Sequence, residues 1–152
     1  MRKKLLILHL SSLTLGGCIY LFFRADTLLM FHWVKNMQLT AALETIRTYT
    51  LPVKKELPGW VIFSLPDGLW NLSYVCLMFS VWEDDVNTKS IWWILLIPTI
   101  AILSELFQLI HIVPGTFDLT DLIFYFFGFV MPFFLILKNN NSKNIQYEKN
   151  NF

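Results

Sequence analysis

The sequence predicts an all-α integral membrane protein with four transmembrane helices and an amphipathic interfacial segment between the first and second. Three observations lead there. The chain of 152 residues is 55% hydrophobic and only 15% charged, and its mean hydropathy is positive. Its apolar residues are gathered into runs about 20 residues long, enough to cross a hydrocarbon core of ~30 Å at ~1.5 Å per helical residue. The runs are separated by short polar stretches that carry most of the charge. Length alone places everything before the tail, residues 1–137, in one domain.

The first span is expected over 5–23. Met1 is followed by Arg2, Lys3 and Lys4, then by 19 uncharged residues from Leu5 to Phe23, and Arg24 closes the run. A signal peptide is the rival, but apolar residues continue through Phe23 with no small-residue cleavage site. Leu15-Gly16-Gly17-Cys18 has lipobox character, yet the residues after Cys18 are apolar where a lipoprotein has a polar tether. His9, in mid-helix, reads as a packing residue. Cys18 and Cys76 both fall inside apolar runs and read as buried thiols, with no CxxC pattern.

Residues 25–60 are too polar to span. Leu28, Phe31 and Val34 share one helical face, and Leu39, Ala42, Leu43 and Ile46 another. Glu44 and Arg47 form an i,i+3 pair on the polar side. One or two short helices on the membrane surface account for the pattern, with Leu39, Leu43 and Ile46 turned to lipid or bundle and Pro52 ending the second helix. A covering loop without chemistry is the plainer reading.

The second span is expected over 65–82. Ser64, Pro66 and Asp67 have the form of a capping box, with Ser64 as N-cap. Asp67, Asn71 and Tyr74 then line one side. A polar loop, 83–89, follows, flanked by Trp82 and by Trp92-Trp93 as interface anchors. The third span is expected over 91–113, the fourth over 119–137. Residues 138–152 are Asn- and Lys-rich and are expected to form a polar disordered tail.

Four spans put both termini on one side. Arg2, Lys3, Lys4, Lys89, Lys138, Lys143 and Lys149 lie there, against Arg24, Lys35, Arg47, Lys54 and Lys55 opposite. The positive-inside rule then makes both termini cytoplasmic and residues 25–60 extracytoplasmic. The near-neutral net charge and the lack of a basic stripe or finger argue against nucleic acid as a partner.

This topology gathers acids. Asp67, Glu105, Asp118 and Asp121 all fall toward the outer ends of their helices, where burying a charge costs roughly 2.5–3.5 kcal/mol. Ser104, Glu105, Gln108 and His111 share an arc of the third helix, and Asp118, Asp121, Tyr125 and Gly128 a stripe of the fourth. Asp67 and Asp118 can be explained as caps or first-turn acids. Glu105 cannot, since it lies two turns inside its helix. The short connection 112–117 should fold the fourth helix antiparallel beside the third and bring Glu105 to the Asp118–Asp121 turn. Carboxylates so close need a cation, Arg24, Arg47 or His111, or must hold a proton. Candidate catalytic residues are therefore Glu105, Asp121 and His111. Candidate binding residues are Asp67, Asn71, Gln108, Asp118, Tyr125, Arg24 and Arg47. Asp67, Glu105, Asp118 and Asp121 are candidate ligands for a divalent cation. Gly128 would let a neighbouring helix come close.

Glu105, Gln108, Pro114-Gly115, Asp118-Leu-Thr-Asp121 and Gly128, with Asp67 upstream, resemble the VanZ-like family of small bacterial membrane proteins. Thr116 stands where that family usually has Arg, Tyr125 where it has Asn, and Asn71 where it has His. The resemblance spans about residues 67–128. It implies a bacterial inner-membrane protein with a cell-envelope role, acting on or with a lipid-linked or glycopeptide-type molecule, in a family linked by name to glycopeptide resistance. Membrane lipid is the expected partner. The alternative is a non-catalytic subunit or assembly factor of a larger membrane complex, with buried polar residues holding helices or a partner protein together.

Overall fold

A computed structural model describes residues 2–25, 28–82 and 87–150, with side chains through 136. Its helices are α1 (Arg2–Phe23), α2 (Leu29–Asn36), α3 (Thr40–Lys54), α4 (Gly59–Phe63), α5 (Leu65–Val81), α6 (Thr88–Leu109) and α7 (Leu119–Asn150). No strand occurs among the described residues. Three helical stretches, Arg2–Phe23, Thr88–Leu109 and Leu119–Ile136, are long and apolar enough to cross a membrane.

Helix α5 is the hub. It packs against α1, α4, α6 and α7 and buries nine of its own residues, among them Asn71, Val75, Cys76 and Phe79. Small residues let its neighbours come close. A Cβ on Gly16 of α1 would sit 2.7 Å from the Trp70 indole nitrogen, and one on Gly68 would sit 2.9 Å from the Phe124 carbonyl oxygen. A Cβ on Gly128 would overlap the Gly68 carbonyl and lie 3.1 Å from the Leu72 nitrogen. The close approach expected at Gly128 is therefore the α5–α7 crossing. Asn71 Nδ2 donates to the Tyr125 carbonyl across the same crossing at 2.8 Å. Contacts pair Gly68 with Phe124 and Phe79 with Phe133, so α5 and α7 run parallel. His9 of α1 meets Ser73 Oγ at 2.8 Å and is a satisfied packing residue; with Gly16 against Pro66 and Trp70, this makes α1 antiparallel to α5. Tyr74 donates its hydroxyl to the Trp93 carbonyl of α6.

The core is apolar at one end of this bundle. Leu5, Leu72, Val75, Cys76, Phe79, Ile94 and Ile136 form it, with Phe79 edge-on to Phe133 at 4.9 Å. Asp67 and Asn71 of α5 lie toward its other end. Both cysteines are free.

Several boundaries differ from expectation. The Ser64 capping box does not form: Ser64 has helical φ and ψ and makes no capping bond, because α4 runs almost directly into α5. Helix α3 continues past Pro52 to Lys54, the proline sitting in its last turn. Helix α6 starts at Thr88, capped by Asn87, and stops at Leu109 rather than Val113. There His111 takes φ +59, and the Ile112 and His111 amides return to the Phe107 and Gln108 carbonyls at 2.9 and 3.1 Å, a Schellman closure. Gln38 ends α2 in the same way, at φ +60. Backbone helix carries α7 beyond Leu137 to Asn150, and no Pro or Gly interrupts 138–150. Glu83 to Val86 of the expected polar loop lie outside the described residues.

The segment after α1 does form two amphipathic helices. Only Leu43 of the expected apolar face is buried within the protein, while Leu39 and Ile46 stay 50% and 42% exposed. The face fits an apolar surface outside the chain better than the bundle itself. Arg47 fixes α3 to the end of α1. Its guanidinium donates to the Leu21 and Arg24 carbonyls at 2.7 and 3.0 Å, satisfying acceptors that a helix C-terminus leaves open. Arg47 is thus a cap for α1, not a member of the acidic site, and no ion pair joins it to Glu44 among the described residues.

Candidate functional site

The acids converge where α5 begins, α6 ends and α7 begins. Glu105 is 5% exposed and its Oε2 accepts the Asp118 amide at 3.3 Å. Asp118 is the N-cap of α7: its Oδ1 accepts the Thr120 amide at 2.8 Å, and the residue is solvent-exposed. Asp118 thus makes the capping bond of its plainer reading.

This arrangement changes the role of Asp121. Asp118 and Asp121 occupy the N-cap and N3 positions, where a capping box would return the Asp121 carboxylate to the Asp118 amide. Glu105, from the preceding helix, takes that amide instead. Asp121 Oδ1 is left buried without a hydrogen-bond partner. Asp67 is likewise freed, since Ser64 does not cap. Asp67 feels the charges of Asp121, Arg24 and Glu105, and Tyr125 those of Asp67, Glu105, Asp121 and Arg24. The Tyr125 side chain therefore lies within electrostatic range of carboxylates from three helices.

Arg24 is the cation that faces this group. Its guanidinium lies 5.2 Å from the Tyr20 ring centroid and 5.1 Å from that of Phe63. Aromatic faces stabilise a cation there, and Arg47 holds its carbonyl. One arginine against Asp67, Glu105 and Asp121 leaves the site with surplus acceptors.

Asn71 belongs to the same wall. It is 2% exposed and spends its amide nitrogen on Tyr125, leaving Oδ1 buried and unpartnered. Ser64 Oγ, three residues before Asp67, is also buried and unpartnered. Sequence reasoning assigned Ser64 to capping and so missed it. Its i,i+3 and i,i+7 spacing to Asp67 and Asn71 was the available signal. Gln108 lies beneath the Pro114-Gly115 turn. Gly115 has φ +142, and a Cβ there would press to 2.7 Å on the Gln108 side-chain carbonyl carbon. Only glycine fits both conditions.

His111 is not brought in. It is exposed, it serves as the left-handed closing residue of α6, and no hydrogen bond joins it to Glu105, Asp118 or Asp121 among the described residues. Among the described residues no three His, Cys, Asp or Glu side chains stand close enough to hold a metal ion. Asp118 is engaged in capping and Glu105 accepts the Asp118 amide.

The chain matches no protein-family model, no curated protein and no solved structure.

Proposed function

We propose that this is a four-span bacterial inner-membrane protein, VanZ-like in character, that acts in the cell envelope on or with a lipid-linked or glycopeptide-type molecule. Both termini are cytoplasmic and the acidic site faces the outer leaflet. The span added to the three long apolar helices is α5, second in chain order. At 17 residues it is ~25 Å long, and α4 extends it. Seven basic residues on the side of the termini against five on the other support the orientation.

One observation carries the ligand class. Asp121 Oδ1 at the start of α7, and Asn71 Oδ1 and Ser64 Oγ in and just before the first turns of α5, are buried without partners. Carboxylates accept hydrogen bonds and do not donate them. A buried acceptor left unpaired costs about 1–3 kcal/mol, so a ligand rich in O–H and N–H groups gains by entering. Lipid-linked saccharides and peptides have that chemistry. Arg24 supports a ligand anion such as a phosphate.

A second reading rests on the 3.3 Å bond from the Asp118 amide to Glu105, which ties α6 to α7 and fits a purely structural acid in a non-catalytic subunit. Glu105→Gln, Asp67→Asn and Asp121→Asn separate the two readings. Each should abolish the envelope phenotype of the wild-type gene, scored as glycopeptide susceptibility, at unchanged membrane abundance. Loss of abundance in step with loss of phenotype would favour the structural reading.

A further inference from the structure

A second site lies apart from the acids, in the α2–α3 hairpin. The two helices enclose a cleft of about 310 Å³. Phe31, Val34 and Leu43 give it an apolar floor, and Lys35, Arg47, His32 and Glu44 line its rim. Arg47 is fixed before any ligand arrives. Two of its N–H groups are held by α1 carbonyls at 2.7 and 3.0 Å, and its guanidinium lies 5.0 Å from the Phe31 ring centroid. Lys35 and His32 make no side-chain hydrogen bond or ion pair among the described residues. With His32 neutral the rim carries one surplus positive charge, which matches a single phosphate monoanion.

The position of the cleft selects the source of that phosphate. Arg47 binds the last turn of α1, a candidate membrane span, so the cleft stands at the level where a spanning helix leaves the bilayer. Apolar side chains surround it on the outside: Leu29, Trp33 and Met37 are 66%, 56% and 69% exposed. Trp at that level is the usual marker of the headgroup region. We infer that the α2–α3 cleft binds the phosphate of an anionic phospholipid, with Lys35 and Arg47 on the phosphate and the acyl-glycerol part against Phe31, Val34 and Leu43. The inference does not depend on what the acidic site does.

The test uses the full-length protein in detergent, with phosphatidylglycerol added and retained lipid counted by native mass spectrometry. Wild type should keep one phosphatidylglycerol. Lys35→Ala should weaken retention about fivefold, the effect of ~1 kcal/mol for one basic residue at an anionic surface, and Lys35→Arg should restore it. Lys55→Ala, an exposed lysine outside the cleft, should change nothing. Phosphatidylcholine and glycerol phosphate should not displace the bound lipid at equal concentration. Equal retention by Lys35→Ala would overturn the inference. So would displacement by phosphatidylcholine, which removes the charge argument, or by glycerol phosphate, which reduces the site to a plain phosphate binder.

Discussion

Gly128 and Gly17 are both helical glycines, and alanine should have opposite effects at them. At Gly17 a Cβ meets nothing within 4 Å, so Gly17→Ala gains helix propensity, about 1 kcal/mol. At Gly128 the same methyl overlaps the Gly68 carbonyl and comes within 3.1 Å of the Leu72 nitrogen and 3.3 Å of Asn71 Cβ. Two of those atoms are helix backbone, which cannot rotate aside, so α5 and α7 must separate. Overpacking of this kind costs about 1–3 kcal/mol. The Asn71–Tyr125 bond at the same crossing is stretched as well, at roughly 0.5–1.5 kcal/mol for a neutral hydrogen bond. The propensity gain is common to both and cancels, so the two variants should differ by ~2–4 kcal/mol. At about 2–4 °C per kcal/mol for a chain this size, Gly128→Ala should melt roughly 4–16 °C below Gly17→Ala in fluorescence-detected thermal unfolding in detergent. Equal melting temperatures would mean that α5 and α7 do not cross at Gly68 and Gly128.

Removing the Asp118 cap by Asp118→Ala should cost about 1 kcal/mol, while Asp118→Asn, which still accepts from Thr120, should be close to neutral; thermal melts of both variants decide it. Arg47→Ala should speed hydrogen exchange across α3 and at the end of α1, because the Leu21 and Arg24 carbonyls lose charged donors worth about 1.5–3 kcal/mol each; unchanged exchange in α3 would show that Arg47 does not dock it. Cysteine at Asn36 should react with a membrane-impermeant reagent added outside cells, and cysteine at Lys89 should not. The reverse pattern would put the acidic site on the cytoplasmic side.

The helices were legible because hydropathy runs and the 3.6-residue period act over many residues at once. The α5 and α6 ends were harder, since they turn on single backbone angles. Ser64 has the residue type and spacing of an N-cap, yet α4 precedes it without a break and holds it helical. His111 shares an arc with Glu105 only if α6 continues to Val113; the left-handed closure at His111 ends the helix first and turns the side chain out. Glu105 was legible because no local motif explained a carboxylate two turns inside an apolar helix. Asp121 was legible as an acid in the cluster, but not as the one left over when Glu105 takes the Asp118 amide. That exchange is made between helices, and sequence periodicity describes only one helix at a time. The role of Arg47 was hidden for the same reason: its partners are carbonyl oxygens 23 and 26 residues away.

The central claim is that Asp67, Glu105 and Asp121, with Asn71 and Tyr125, form an acceptor-rich site for a donor-rich envelope molecule. Its most direct test is ligand retention by protein purified from native membranes in mild detergent. Wild type, Asp67→Asn and Asp121→Asn are compared by native mass spectrometry with identification of whatever is carried along. The account predicts that wild type retains a lipid-linked molecule bearing several O–H or N–H groups, and that both variants release it while their melting temperatures stay within about 2 °C of wild type. Equal retention in all three, or no such molecule on wild type, would contradict it.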